Sequence, residues 1–221
     1  MAKRTVSASP ATRERLSRDR ILEAALALID RDGLDALSMR RLGAECGVEA
    51  MSLYNHFPNK DELLKGVTGV ILREIELPDL RRQSWVEALR SGFHSYRRVL
   101  LSHPNVIPLM TVKPDVSPES FRPIEFAMEI LRTAGFDPVT ALHAHWLLVG
   151  FTMGHVSFQA ASTFADPDAA VLEIEERKRV LSEDEFPRLY EVFPYLAECD
   201  FDSAFHFGLD VLLEGLAARL R

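Results

Sequence analysis

Cysteine is almost missing from this chain: there are two in 221 residues, Cys46 and Cys199, far apart and without a CxxC spacing. That excludes a disulfide framework and a cysteine-based zinc site, and it fits a reducing compartment. Long apolar runs are missing as well. The most apolar stretch, 144–154, contains His145 and Thr152 and is followed by His155, which makes it too short and too polar to span a bilayer. The first sixteen residues are polar and basic with no apolar segment behind them, so no signal peptide is expected and the cytoplasm is the expected location. Glycine-rich phosphate loops, internal repeats and extended low-complexity tracts are absent. So are paired carboxylates at helical spacing and any nucleophile–base arrangement, and an enzyme is not expected.

An excess of positive charge is the last absence, and it is only apparent. The net charge is −7, but residues 1–60 carry ten Lys/Arg against eight Asp/Glu, leaving 16 basic and 25 acidic groups for the remainder. Charges act over a screening length of about 8 Å at physiological ionic strength, so the local balance governs encounter with a polyanion. The first twenty residues hold six basic groups against Glu14 and Asp19. Such an arm suits both phosphate attraction and simple solubility.

What the chain does contain is helix. Ile21, Leu22, Ala25, Leu28 and Ile29 recur at 3–4 spacing, with Ser17 placed to cap the start and Gly33 to stop the helix. A second short helix opens at Ser38 and stops at Gly47, a third covers about 50–56, and a fourth follows Pro58 toward Glu76, with Asn59 and Glu62 at capping-box spacing. Helices are then expected over 84–102, 118–134, 138–162 and 167–181. Another should cover 186–198, interrupted at Pro194, and a last one should start from a cap at Asp202 and run to about Leu220. Ser117-Pro118, Asp137-Pro138 and Asp166-Pro167 each offer a capping side chain followed by proline at the first helical position. The expected fold class is all-α. A flexible basic arm (1–16) precedes a three-helix helix-turn-helix domain (17–66) and a larger helical domain (67–221).

The segment 38–57, SMRRLGAECGVEAMSLYNHF, carries the functional signal. Met39, Leu42, Cys46, Val48 and Leu53 suit two short helices crossing over a shared core. Gly47 sits where a tight turn needs positive φ, and Gly43 lets the second helix approach closely. The second helix then offers Ser52, Tyr54, Asn55 and His56 outward, groups suited to phosphates and base edges, with Arg40 on the first helix and Lys60 beyond the second. Leu53 reads as core, and Arg41, rotated about 100° from Arg40, as a solvated charge.

The run LSMRRLGAECGVEAMSLYNHFPNKDELL resembles the DNA-binding signature of the tetracycline-repressor (TetR) family, and the match is dense from about 18 to 68. The resemblance implies that Ser38 meets phosphate at a helix start and that Arg40 reaches phosphate or guanine. It makes Ala50, Met51 and Ser52 the base-reading positions, and Tyr54, His56 and Lys60 phosphate anchors, with Asn55 able to serve either. Ala50 and Met51 cannot make bidentate hydrogen bonds, so their readout would be apolar, as with thymine methyls.

In the larger domain the helix over 138–162 is apolar all round and is expected to be buried all round. The stretch FDSAFHFGLDVLLEGLAARL resembles the closing helix of the tetracycline-repressor branch. Two such helices per chain would build a four-helix homodimer interface, with Gly150, Gly154, Phe158, Ala204, Gly208, Val211, Leu212 and Gly215 as its candidate residues. Phe93, Tyr96, Arg97, Met110, Phe126, Trp146 and Phe151 are the candidate effector contacts, aromatic or flexible groups with a few polar handles. His143, His145 and His155 lack ligand spacing, so no metal and no cofactor are expected. Aligned by eye, Leu109 and Phe158 stand where the tetracycline-binding branch has a His and a Glu, so a tetracycline–magnesium chelate is not the expected effector. The expected partners are a palindromic double-stranded operator, a small-molecule effector and a second copy of the chain, but no membrane.

Overall fold

The computed structural model describes residues 16–112, 116–196, 198 and 200–220, and the described elements are all helical. The expected arm lies outside the described residues, apart from Leu16. The chain divides into two compact units between Leu63 and Leu64.

The first unit contains α1 (Arg18–Asp32), α2 (Met39–Glu45) and α3 (Ala50–Tyr54), and α4 (Lys60–Arg73) begins in it. Ser17 Oγ accepts from Arg20 N at 3.2 Å to open α1, and Gly33, at φ 84°, lets the chain turn out of it. A 3-10 turn over Leu34–Ala36 follows, which apolar periodicity could not mark because none of its residues is buried. Ser38 Oγ caps α2 by accepting from Arg41 N at 3.2 Å. The core is built from Ile21, Leu28, Ile29, Leu42, Leu53 and Phe57, all fully buried. Each such side chain contributes about 1.5–3 kcal/mol relative to exposure, a large share of what a unit this small can gather.

The second unit is organised around α5 (Trp85–Ser102), which packs against α7 (Pro118–Ala134), α8 (Pro138–Ala161) and α11 (Phe201–Ala218). Between and beside them lie α6 (Ile107–Val112), α9 (Pro167–Val180) and α10 (Pro187–Leu196). The caps follow the local chemistry. Ser84 and Glu87 form a reciprocal capping box on α5, Asp137 accepts from Val139 N and Thr140 N on α8, and Gly135 closes α7 at φ 109°. The core joins Leu89, Leu100, Leu131, Leu148, Phe205, Leu209 and Leu213, with Trp85 set edge-on to Phe136 at 5.6 Å between ring centroids.

Three expectations need correcting. Asp200, not Asp202, caps α11, because Asp200 Oδ1 accepts from Asp202 N and the chain turns helical two residues earlier. Pro194 does not interrupt α10. It lies inside the helix, which ends two residues later at Leu196, so the proline stands in the last turn. The helix expected to be buried all round, α8, is not so within the chain. Ala141, Ala144, Leu148, Thr152 and Val156 are buried, whereas Val139, Trp146, Leu147 and Phe158 are 47–63% exposed. One face of α8 meets α5, α7 and α11, and nothing among the described residues covers the other.

Candidate nucleic-acid interface and effector cavity

The outward face of the first unit is held by an inward one. Gly43 in α2 lies against the start of α3: a Cβ there would stand 2.9 Å from the Val48 carbonyl oxygen and 3.1 Å from Ala50 N. Gly47, at φ 68°, makes the turn between them. Leu53 and Phe57 are fully buried and anchor α3. Helical geometry then turns Met51 and Tyr54 outward, at 72% and 43% exposure, together with Asn55, while Ala50, Ser52 and His56 are half-buried. Ser38 and Arg40 are exposed on the adjoining edge. Among the described residues the side chains of Arg40, Tyr54 and Asn55 have no ion-pair or hydrogen-bond partner.

The surrounding charges hold this frame in place. Arg41 Nη2 lies 2.5 Å from Asp32 Oδ2, tying α2 to α1, and Arg31 pairs with both Asp32 and Glu45. Arg41 is therefore paired at the surface, a refinement of the reading as a merely solvated charge. The Arg18 guanidinium sits 4.1 Å from the Phe57 ring centroid and donates to the His56 carbonyl oxygen. That contact belongs to the backbone of His56 and leaves its ring available. Lys60 Nζ donates to the Leu37 carbonyl oxygen at 2.7 Å, which occupies one of its three donors. Neither Arg18 nor Arg31 stood out in the sequence, because nothing in spacing alone shows which surface arginine finds a partner across the fold.

In the second unit α5, α7 and α8 enclose a cavity of about 410 Å³. Leu77, Val116, Phe121 and Ile124 form its exposed mouth, and Leu89, Phe93, Tyr96, Ala127, Ile130 and His145 line the interior. Of the sequence candidates, Phe93, Tyr96, Met110 and Phe126 line it. Trp146, Arg97 and Phe151 do not. Trp146 is 61% exposed on the opposite face of α8, one residue beyond the inward-facing His145. Phe151 stacks on Phe205 at 5.3 Å between ring centroids. Arg97 is buried against α11, where it pairs with Asp202 at 2.6 Å, donates to Gln159 Oε1 at 2.7 Å and faces the Phe205 ring. His145 was read in the sequence only as a metal question and was missed as a cavity residue. Its signal was position, since it shares a helix face with Ala141, Leu148 and Thr152. Burial pushes the His145 imidazole pKa below its ordinary value and the Tyr96 phenol up to about 12.

The candidate interface residues fall into two groups. Gly150, Gly154 and Gly215 face open space, for a Cβ at any of them would meet nothing within 4 Å, and Phe158, Ala204 and Val211 are exposed. Gly208 has a role inside the chain: a Cβ there would stand 2.5 Å from Phe151 Cζ. Leu212 is half-buried and packs against the core. Among the described residues no group of three or more His, Cys, Asp or Glu could hold a metal ion, and no helix is long and apolar enough to cross a membrane.

Comparison with known proteins agrees with this geometry. Residues 21–67 match the description "Bacterial regulatory proteins, tetR family", and residues 77–220 match "Tetracyclin repressor-like, C-terminal domain". A transcriptional regulator of Saccharopolyspora erythraea is 31% identical over 207 residues, covering 94% of this chain and 87% of the relative. The class E tetracycline repressor protein of Escherichia coli is 31% identical over 211 residues, 93% of each chain. The solved structure of Streptomyces coelicolor ActR in complex with actinorhodin superposes with a TM-score of 0.79 at 31% identity, over 93% of this chain and 99% of that one. Matched along both units, the chain belongs to the tetracycline-repressor family of bacterial transcription regulators.

Proposed function

We propose that the chain is a homodimeric repressor that holds a palindromic operator through α3 and is released when a small molecule enters the cavity between α5, α7 and α8. The observation that carries the reading is the two-sided α3. Its inner side chains are locked in the core, while Met51, Tyr54 and Asn55 are outward and unpartnered among the described residues. Phosphate contacts from Ser38, Arg40, Tyr54, His56 and Lys60 would set position, and Ala50, Met51 and Ser52 would read bases. Met51, with no hydrogen-bond donor, favours apolar contact with thymine methyls.

The second copy is supported by the uncovered apolar face of α8 and α11, where Trp146, Leu147, Phe158, Phe207 and Val211 are 47–71% exposed. Several large apolar side chains left exposed on two packed helices favour association with a second copy. Dimers of this class place recognition helices about 34–36 Å apart to enter successive major grooves. An effector that binds better to a form with another spacing lowers DNA affinity by linkage, and α4, which begins in one unit and ends in the other, is the covalent route. The solved relative with actinorhodin bound supports a small-molecule effector. A DNA operator as partner supports a cytoplasmic location.

Selection from a random DNA library at low salt should enrich an inverted repeat, and Tyr54→Ala should weaken binding to it about tenfold or more with an unchanged melting temperature. Failure to enrich any repeat, or full affinity in Tyr54→Ala, would overturn the reading.

A further inference from the structure

α5 and α11 run past each other in opposite directions, and side-chain pairs bridge them at intervals of about one turn. Arg90 Nη2 lies 2.8 Å from Asp210 Oδ1, and Arg97 Nη1 lies 2.6 Å from Asp202 Oδ1. Between these ion pairs the middle rung joins two bases, with His206 Nδ1 standing 3.4 Å from His94 Nε2. That separation is long for a hydrogen bond, whose donor–acceptor distance is about 2.7–3.2 Å. It matches two nitrogen ligands on one tetrahedral ion, since bonds of about 2.0–2.1 Å set them about 3.3–3.4 Å apart. The His206 ring is held from behind, where its Nε2 lies 3.2 Å from Asp210 Oδ2. A carboxylate that accepts from Nε2 keeps the proton there and leaves the Nδ1 lone pair facing His94. The His94 ring stands edge-on to Phe205 at 5.2 Å between ring centroids, and the two flanking ion pairs fix the register of the helices. Both arginine charges are paired, and Glu214 adds a carboxylate to the same open recess, so the local balance favours a cation. The histidines lie 112 positions apart, so no spacing in the sequence marks them as a pair.

We propose that His94 and His206 form a two-imidazole clip for a divalent late transition metal such as zinc or nickel, and that the bound ion ties α5 to α11. Imidazole suits zinc, copper and nickel, whereas magnesium and calcium take oxygen ligands. The chain supplies this ion with fewer ligands than a catalytic or structural zinc site has, so water fills the remaining positions, and the recess is open enough to admit it. Asp210 is a positioning residue: it orients the His206 ring and raises its basicity without touching the ion.

The test uses the full chain in its own oligomeric state, free of any added histidine tag. In calorimetric titrations at pH 7.5, zinc chloride should bind at one ion per chain, and magnesium chloride at about hundredfold excess should neither bind nor compete. His94→Gln and His206→Gln should each weaken zinc binding at least about tenfold, and Asp210→Asn should weaken it about tenfold. His143→Gln, outside the cluster, should leave it unchanged. Because the ion bridges two helices of the folded chain, zinc should raise the melting temperature of the parent and not that of His206→Gln. In the parent the nitrogen resonances of His94 Nε2 and His206 Nδ1 should move together on adding zinc, a measurement that needs no variant to fold. If neither ring moves at about tenfold excess of zinc, or if one moves alone, the proposal is overturned and the contact is a long hydrogen bond between the rings. Zinc affinity unchanged in both histidine variants, or magnesium bound as tightly as zinc, would overturn it as well.

Discussion

Gly43→Ala is the substitution that most directly probes how the recognition helix is held. In the interior of α2 an alanine should help, because alanine is favoured over glycine by about 1 kcal/mol in a helix. The structure reverses that expectation. The added methyl carbon would stand 2.9 Å from the Val48 carbonyl oxygen, 3.1 Å from Ala50 N and 3.2 Å from Ala50 Cα. All three are backbone atoms, so no side-chain rotation relieves the contact, and α3 must move away by a few tenths of an ångström. Overpacking costs about 1–3 kcal/mol, and three close contacts with immobile backbone put this site in the upper part of that range, about 2–3 kcal/mol, so after the helical gain of about 1 kcal/mol a net loss of about 1–2 kcal/mol remains. In a unit of this size each kcal/mol lowers the melting temperature by about 4–8 °C, so a fall of at least about 4 °C is expected. Because the displaced atoms belong to Ala50, the first residue of α3, operator affinity measured by fluorescence anisotropy at 10 °C should fall at least tenfold in chains that remain folded. Gly47→Ala is the control: its φ of 68° strains a side chain, yet nothing lies within 4 Å. It should cost about 1–2 kcal/mol of stability without shifting α3, and leave the affinity of the folded protein unchanged. A Gly43→Ala protein with parental melting temperature and parental operator affinity would refute the reasoning.

Other consequences concern the second unit. Burial is the first cause that lowers the pKa of His94, His145 and His155 below the ordinary 6.5. The unfolded chain therefore takes up protons near pH 6.5 that the folded chain does not, so stability is fully present above that value and is lost as pH falls below it. Urea midpoints measured from pH 8 to pH 5 should decline through this range, and the decline should be shallower in His145→Leu; a flat profile in the parent would contradict the burial. Trp146→Glu combined with Phe207→Glu, both at strongly exposed positions, should convert the dimer to monomer in sedimentation equilibrium with helicity retained. A variant that remains dimeric would place the interface elsewhere. Gly208→Leu should unfold or strongly destabilise the second unit, since even a Cβ there meets the Phe151 ring at 2.5 Å. A variant of parental stability would show that Phe151 can repack.

The first unit was legible in the sequence almost residue by residue, because its determinants are local. Ser17 and Ser38 cap, Gly33 and Gly47 turn, and Leu53 alternates with Met51 and Tyr54 on a helix too short to have an ambiguous face. The second unit was legible as helices and less so as a site. Pro118 and Pro138 marked their helix starts because a capping side chain preceded each, whereas Pro194 misled because a proline in a last turn need not end the helix there. Periodicity could not sort the cavity residues, since Trp146 and His145 are neighbours in sequence with opposite surroundings and α8 is apolar on both faces. Arg97 reads from its residue type as a polar handle on the cavity, but it pairs with Asp202, a contact 105 positions away that no local pattern announces.

The central claim is that two copies of α3 are presented to one face of a duplex. Hydroxyl-radical footprinting on a selected operator tests it most directly. The account predicts two protected patches on the same face with centres about one helical turn apart, 34–36 Å, both lost in Tyr54→Ala. A single uninterrupted protection, patches on opposite faces, or a footprint that survives Tyr54→Ala would contradict it.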